Sequence, residues 1–186
     1  MSSNVSVTNS ALIRIGSDII ASMTEDSQAA RLANNIYDES LDYLLQLAPW
    51  GFAQVETSLA LSASPPTYSH TYSYQLPTLP YCLQVTGIQY GFEFEIKGRY
   101  LYTDHGPINI TYTKRVTDMN ELSASFTQCL VFYLASQLAL PLTHDKGMAD
   151  TMEMKFQNSY QKAKTRDTQE SKYKKMSSGS WVTIRR

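Results

Sequence analysis

The chain has 186 residues, of which 42% are apolar and 18% charged, with a net charge of −1 at neutral pH. This is the length of one ordinary domain with enough apolar content for a real core, so wholesale disorder is excluded. The near-zero net charge excludes a generic nucleic-acid-coating protein. The total hides an asymmetry: residues 1–141 hold six basic and twelve acidic side chains, whereas residues 142–186 hold ten basic and five acidic. An acidic body with a basic end suits self-association, or docking of that end on an acidic partner; a solvated basic helix is the plainer reading. Thirteen tyrosines suit strands and wet interfaces, because each joins a large apolar ring to a polar tip.

Helical periodicity opens the chain. Val7, Ala11 and Ile15, with Val5 and Leu12, fall at three- to four-residue spacing up to Gly16. Ser22-Met23-Thr24-Glu25 reads as a capping box and is followed by Asp26 and Ser27; either start leads into a second helix with Leu32, Ile36, Leu41, Leu44, Leu45 and Ala48 on one broad stripe. Pro49 ends it, and Trp50 and Phe52 are expected to plug the helix pair.

From Val55 to Thr113 the period becomes two. Tyr68, Tyr72 and Tyr74, then Leu83, Val85 and Ile88, suggest extended segments broken by Pro65, Pro66, Pro77 and Pro80. Phe92 to Ile96 alternates strictly, which assigns Phe92, Phe94 and Ile96 to the core and Glu93 and Glu95 to solvent. Lys97-Gly98 makes a turn, Asp104-His105-Gly106-Pro107 a second, and Ile108 to Tyr112 a last strand. With no helix between its strands, the region reads as an antiparallel meander.

Helix returns after Asp118-Met119-Asn120-Glu121, read as another capping box, with Leu122, Phe126, Cys129, Leu130, Tyr133, Leu134 and Leu138 running to Pro141. A last helix from about Asp145 to about Tyr173 carries Met148, Met152, Phe156, Tyr160 and Ala163 on one stripe and Lys155, Lys162 and Arg166 on another. The fold class expected is α+β: about four helices, two at each end, around an inserted β-meander, with an extended C-terminal arm. Residues 1–175 form the domain (helices in 1–50, meander in 53–116, helices in 118–175), and residues 176–186 the arm.

Catalytic and metal chemistry is thinly represented. His70, His105 and His144 fall in loops without metal-ligand spacing, and there is no nucleophile elbow or phosphate-binding glycine loop. Glu93 and Glu95 could pair as acid and base, but two carboxylates on a solvent face are ordinary. Asp104-His105 lacks a nearby nucleophile. The expectation is a non-enzyme without cofactor or metal. Cys82 and Cys129 lack paired spacing and read as packed thiols. The N-terminus has no secretory pattern, and the longest apolar run, Cys129 to Leu142, is short for a bilayer; a soluble protein is expected.

The tail is more informative. After the Ser177-Ser178-Gly179-Ser180 hinge come Trp181, Val182, Thr183, Ile184, Arg185 and Arg186. Trp and Arg are common anchors of binding hot spots, so this is read as an arm that orders on a partner. Folding back on its own domain is the alternative.

Taken together these residues resemble the head-to-tail adaptor family of short-tailed bacteriophages, the tail tubular protein A type. The resemblance lies in Ala11 to Gly16, Ile20 to Ser27 with Ala30-Arg31, Pro49-Trp50-Gly51-Phe52-Ala53, and Tyr74-Gln75-Leu76-Pro77. It is strongest at Gly98-Arg99-Tyr100-Leu101-Tyr102-Thr103-Asp104, and continues through Ile108 to Tyr112, the helix from Glu121 to Leu142, and Ser180-Trp181 before terminal arginines. It implies a structural virion protein without enzymatic activity. Subunits would form a dodecameric ring under the portal protein, extend the channel for double-stranded DNA, and carry the tail nozzle protein. The location implied is the virion tail, at the head–tail interface, and the host cytoplasm during assembly; no membrane is involved. By the same resemblance, residues 181–186 would be the portal-docking arm. The basic helix face of Lys155, Lys162, Arg166, Lys172, Lys174 and Lys175 would be its stalk. The turns at Lys97, Gly98, Asp104 and His105 would meet a neighbour or the nozzle. Two rival functions are a tail-associated cell-wall-lytic protein using Glu93 and Glu95, and a DNA binder using the basic helix.

Overall fold

The computed structural model describes residues 3–62 and 70–171. Four helices and six strands alternate between two cores: α1 (Asn4–Arg14), α2 (Gln28–Leu47), β1 (Gln54–Ser58), β2 (Tyr72–Gln75), β3 (Cys82–Ile88), β4 (Glu95–Lys97), β5 (Tyr100–Thr103), β6 (Asn109–Lys114), α3 (Ala124–Thr143) and α4 (Lys146–Ser171). The α+β expectation holds, with two helices on either side of an inserted antiparallel β region.

Local chemistry explains the helix starts. Ser3 and Ser6 cap α1 reciprocally, each hydroxyl accepting the other's backbone N–H. The α2 cap is Ser27, the later of the two starts read from the sequence; its hydroxyl accepts the Ala30 N–H, and the Ser22 to Glu25 box does not start the helix. Glu25 instead accepts the Ala21 N–H at 2.7 Å, closing a loop that Asn9 pins through both the N–H and the C=O of Ile20. Likewise, Asp118 caps only a short 3-10 turn, and Ser123 starts α3. Both segments, read from sequence as capping boxes, form turns ahead of the helices, and local pattern does not tell which of two nearby Ser or Asp side chains meets the continuing helix.

α3 is the central element, packed by α1, α2 and α4. It buries Phe126, Cys129, Leu130, Leu134 and Leu138. Pro141 does not end it: the helix continues to Thr143 and stops where His144 turns left-handed and donates its N–H to Leu140. A proline in the last turn forgoes one bond without blocking the remaining residues. At twenty residues α3 is long and apolar enough to cross a membrane by length and composition, longer than its apolar run suggested; here it is the core helix. Trp50 closes the bundle as expected, fully buried, with its indole N–H on Leu44 O at 2.8 Å and its ring edge-on to Phe126 and Tyr160.

The strands form two antiparallel three-stranded sheets, ordered β1-β6-β3 and β2-β5-β4. Among the described residues only β4 and β5 form a hairpin of consecutive strands; β6 returns between β1 and β3. A second core, with Leu59, Tyr74, Val85, Leu101, Ile108, Ile110 and Tyr112, draws on both sheets. Cys82 lies in this core and Cys129 in the helical one, both buried and free.

One strand departs from its sequence reading. Regular pairing covers only Glu95–Lys97, and Phe94 and Ile96 remain 37% and 41% exposed instead of entering the core. Ile96 pairs with Leu101 and shares its face, but β4 is the outer strand and nothing described covers it. Alternation told the faces apart; it carried no information about which strand lies at the edge.

Candidate docking surfaces

The stripe expected on α4 packs as read. Met152, Phe156 and Ala163 are buried, with Met148 and Tyr160 partly buried against the same core. Lys155, Lys162 and Arg166 are exposed, and Lys164 joins them, so no acidic residue lies between Met154 and Arg166. Arg166 is paired with Glu170, a surface pair one turn on that is worth little. Past Ala163 the helix touches the bundle chiefly through Asp167, whose carboxylate accepts the Gly51 N–H at 3.0 Å. Burial pushes the Asp167 carboxyl up, against the pull of that bond. The basic face thus runs along the outer side of α4 toward a helix end that lies beside the start of α3 and the turn before β1. Lys172, Lys174, Lys175 and Trp181 to Arg186 lie outside the described residues.

The two turns divide between ends of the β module. Gly98 closes the β4–β5 hairpin with φ of +60°, a backbone region that favours glycine. Lys97 binds Glu95 at 2.9 Å. At the other end, Asp104 accepts the Thr71 N–H at 2.7 Å and its hydroxyl at 2.9 Å, and faces His70 at 3.4 Å. His70 also lies 3.6 Å from Glu95, so the histidine beside Asp104 in sequence is not its partner. His105 instead stacks on Phe92 with ring centroids 3.9 Å apart. Gly106 passes so close to the Tyr74 hydroxyl that a Cβ would collide with it. Lys97, by its hydrogen bond, holds the Glu95 carboxyl below its usual range, and the Thr71 N–H does so for Asp104. Both are therefore anions at neutral pH.

A third arrangement escaped sequence reading. Arg99 donates to Cys82 O at 2.7 Å and Pro77 O at 2.6 Å, and its guanidinium lies 4.2 Å from the Tyr81 ring centroid. Arg115 lies 5.0 Å from the same centroid and grips Asp42 of α2 with two donors, Nε at 2.9 Å. That bonding raises the Arg115 pKa further. The stack Asp42–Arg115–Tyr81–Arg99 ties the helical core to the β module and holds the loop whose tip is Leu79, 94% exposed. Beside it a groove of about 670 Å³ is lined by Tyr37, Asp38, Leu41, Asp42, Arg115 and Met119. Tyr37 donates to the Met119 sulfur, and burial pushes its phenol up to about 12. Sequence spacing offered no signal, because the arginines are 16 positions apart and meet only through the returning strand.

Among the described residues no group of three or more His, Cys, Asp or Glu side chains could hold a metal ion. No protein-family model and no curated protein matches the chain.

Proposed function

We propose that this chain is a structural head-to-tail adaptor of a short-tailed bacteriophage. It assembles as a ring on the portal protein, continues the DNA channel, and carries the tail nozzle. The observation that carries the reading is the exposed basic face of α4, with Lys155, Lys162, Lys164 and Arg166 and no acidic residue from Met154 to Arg166, on the last described helix before the Trp181 to Arg186 sequence. A stalk and anchor at one end, on a body that is otherwise acidic, is the arrangement a docking subunit needs. Ring closure requires two different, complementary faces on each subunit, and the chain offers surfaces of both charge signs. The β module, tied to the helical core through the Arg115–Tyr81–Arg99 stack, offers its turns to a neighbour or to the nozzle.

The reading needs no catalytic step. Glu95 is engaged by Lys97 and lies near His70, and its depressed pKa is the opposite of what a general acid requires at neutral pH. The mainly acidic body would repel the phosphates of DNA passing through a lumen, so that the duplex slides.

The test is assembly on a template. Purified chain mixed with portal rings of short-tailed phages is imaged by negative-stain electron microscopy. A second, coaxial ring with the portal's subunit number is the expected result. Portal rings that remain bare under all salt conditions, alongside cell-wall hydrolysis by the free chain, would replace the reading with the lytic one.

A further inference from the structure

We propose that the outer edge of β4 is a self-association site: it pairs antiparallel with β4 of a second copy of this chain, Ile96 opposite Ile96. A two-fold contact closes on a pair and builds no ring, so this site stands apart from the adaptor reading.

The edge is open in its backbone. Among the described residues nothing pairs with β4 on its outer side, whereas β2, the other outer strand of that sheet, is met by Leu61 through its bridge to Tyr74. Lys97 and Tyr100 flank the two-residue turn at Gly98-Arg99, and Glu95 pairs with Tyr102. In an antiparallel ladder the pair that closes such a turn exchanges hydrogen bonds, and the next pair does not. Glu95 and Lys97 therefore spend their backbone groups on β5, and Ile96 directs its N–H and C=O to the free side. A second Ile96 can satisfy both in one reciprocal hydrogen-bonded pair.

The side chains select a copy of the same strand. Centring the pair on Ile96 sets Glu95 of each chain opposite Lys97 of the other, so opposite charges meet twice across the contact. These fall at the closer, non-hydrogen-bonded positions, with Cα atoms about 4.5 Å apart. Within one chain Lys97 already binds Glu95 at 2.9 Å, so both heads lie on one face, and the second copy completes an alternating square of charge. A parallel arrangement would set glutamate against glutamate and lysine against lysine, which fixes the direction. A lysine on an edge strand ordinarily repels a second copy; the glutamate two residues before it reverses that effect.

The opposite face adds apolar burial. Ile96 is 41% exposed although its cross-strand neighbour Leu101 and, beyond it, Tyr74 are buried in the second core. Two copies would lay Ile96 on Ile96 and join the three-stranded sheets into one of six strands, β2-β5-β4-β4-β5-β2. A contact of three residues per chain is small and belongs to the weak, transient class, with dissociation on the order of 0.1 mM. Dilute chain is then monomeric.

The test follows the full chain as its concentration rises. Between about 10 µM and about 1 mM the sedimentation-equilibrium mass should pass from monomer to dimer, and the Ile96 amide should exchange at least about threefold more slowly at the upper end. Lys97→Glu sets glutamate opposite glutamate at both crossings and should weaken the dimer at least about tenfold. The reciprocal exchange, Glu95→Lys with Lys97→Glu, keeps the pair within each chain and restores opposite charges between chains. It should recover association to within about twofold of the parent. Ile96→Pro removes the outward N–H without touching a β4–β5 bond, so the chain should fold and remain monomeric throughout. Monomer mass for the parent at every concentration would overturn the proposal, as would a dimer that the single charge exchange leaves intact or the double exchange fails to restore. An Ile96 amide equally slow at 10 µM and 1 mM, about the ends of the range, would assign the edge to another segment of the same chain and also overturn it.

Discussion

Arg99 shows how much one side chain can organise. Its guanidinium serves two backbone carbonyls and a tyrosine face at once, which a planar fork can do and a point charge cannot. Arg99→Ala should cost about 2 kcal/mol in urea denaturation, because the Pro77 and Cys82 carbonyls lose a charged donor. Arg99→Lys should recover less than half of that. Asp167 offers a pH-dependent counterpart. Its folded pKa is raised, so folding favours its protonated form. Its contribution is present below the ordinary carboxylate range and is lost as pH rises through the folded value. Asp167→Asn keeps an oxygen for the Gly51 N–H and removes the charge. The variant should match the parent near pH 3 and exceed it at pH 7, by less than about 1 kcal/mol since the site is partly solvated. Stability curves at the two pH values check the sign.

At the scale of elements, α3 offers a comparison within a single helix. Leu134 is fully buried and Leu140 is 51% exposed. Leu134→Ala should cost about 3 kcal/mol by thermal or urea unfolding, and Leu140→Ala under about 0.5. Equal costs would mean that the helix is rotated from its described orientation, or covered at Leu140 by a further contact. The existence and type of the four helices were legible in the sequence because each writes its buried side in three- to four-residue spacing. Trp50 was legible too, as a large apolar load just after a helix-ending proline. The strand order was not. β6 pairs with both β1 and β3 across more than twenty positions, and nothing local in Asn109–Lys114 records that it will lie between them. For the same reason Phe94 and Ile96 were misassigned to the core, and His105, not His70, looked like the neighbour of Asp104. Local pattern reports faces and periods, and partners chosen over long separations lie beyond it.

At the scale of the molecule, two cores joined by the Asp42–Arg115–Tyr81–Arg99 stack make a subunit with a helical end and a β end, and the end of α4 is tied to Gly51 just before β1. In the proposed account the portal acts as template. Ordering a tail of about ten residues costs on the order of 10 kcal/mol of backbone entropy, so a ring of weak arms gains chiefly from avidity. The free chain is then expected to sediment as a monomer, and closed rings without portal would contradict that. The most direct measurement is co-sedimentation with portal rings, comparing the full chain with one ending at Ser177. The account predicts that the full chain pellets with the portal and the shortened chain stays in the supernatant. Equal pelleting of the two would contradict the docking role given to the C-terminal segment.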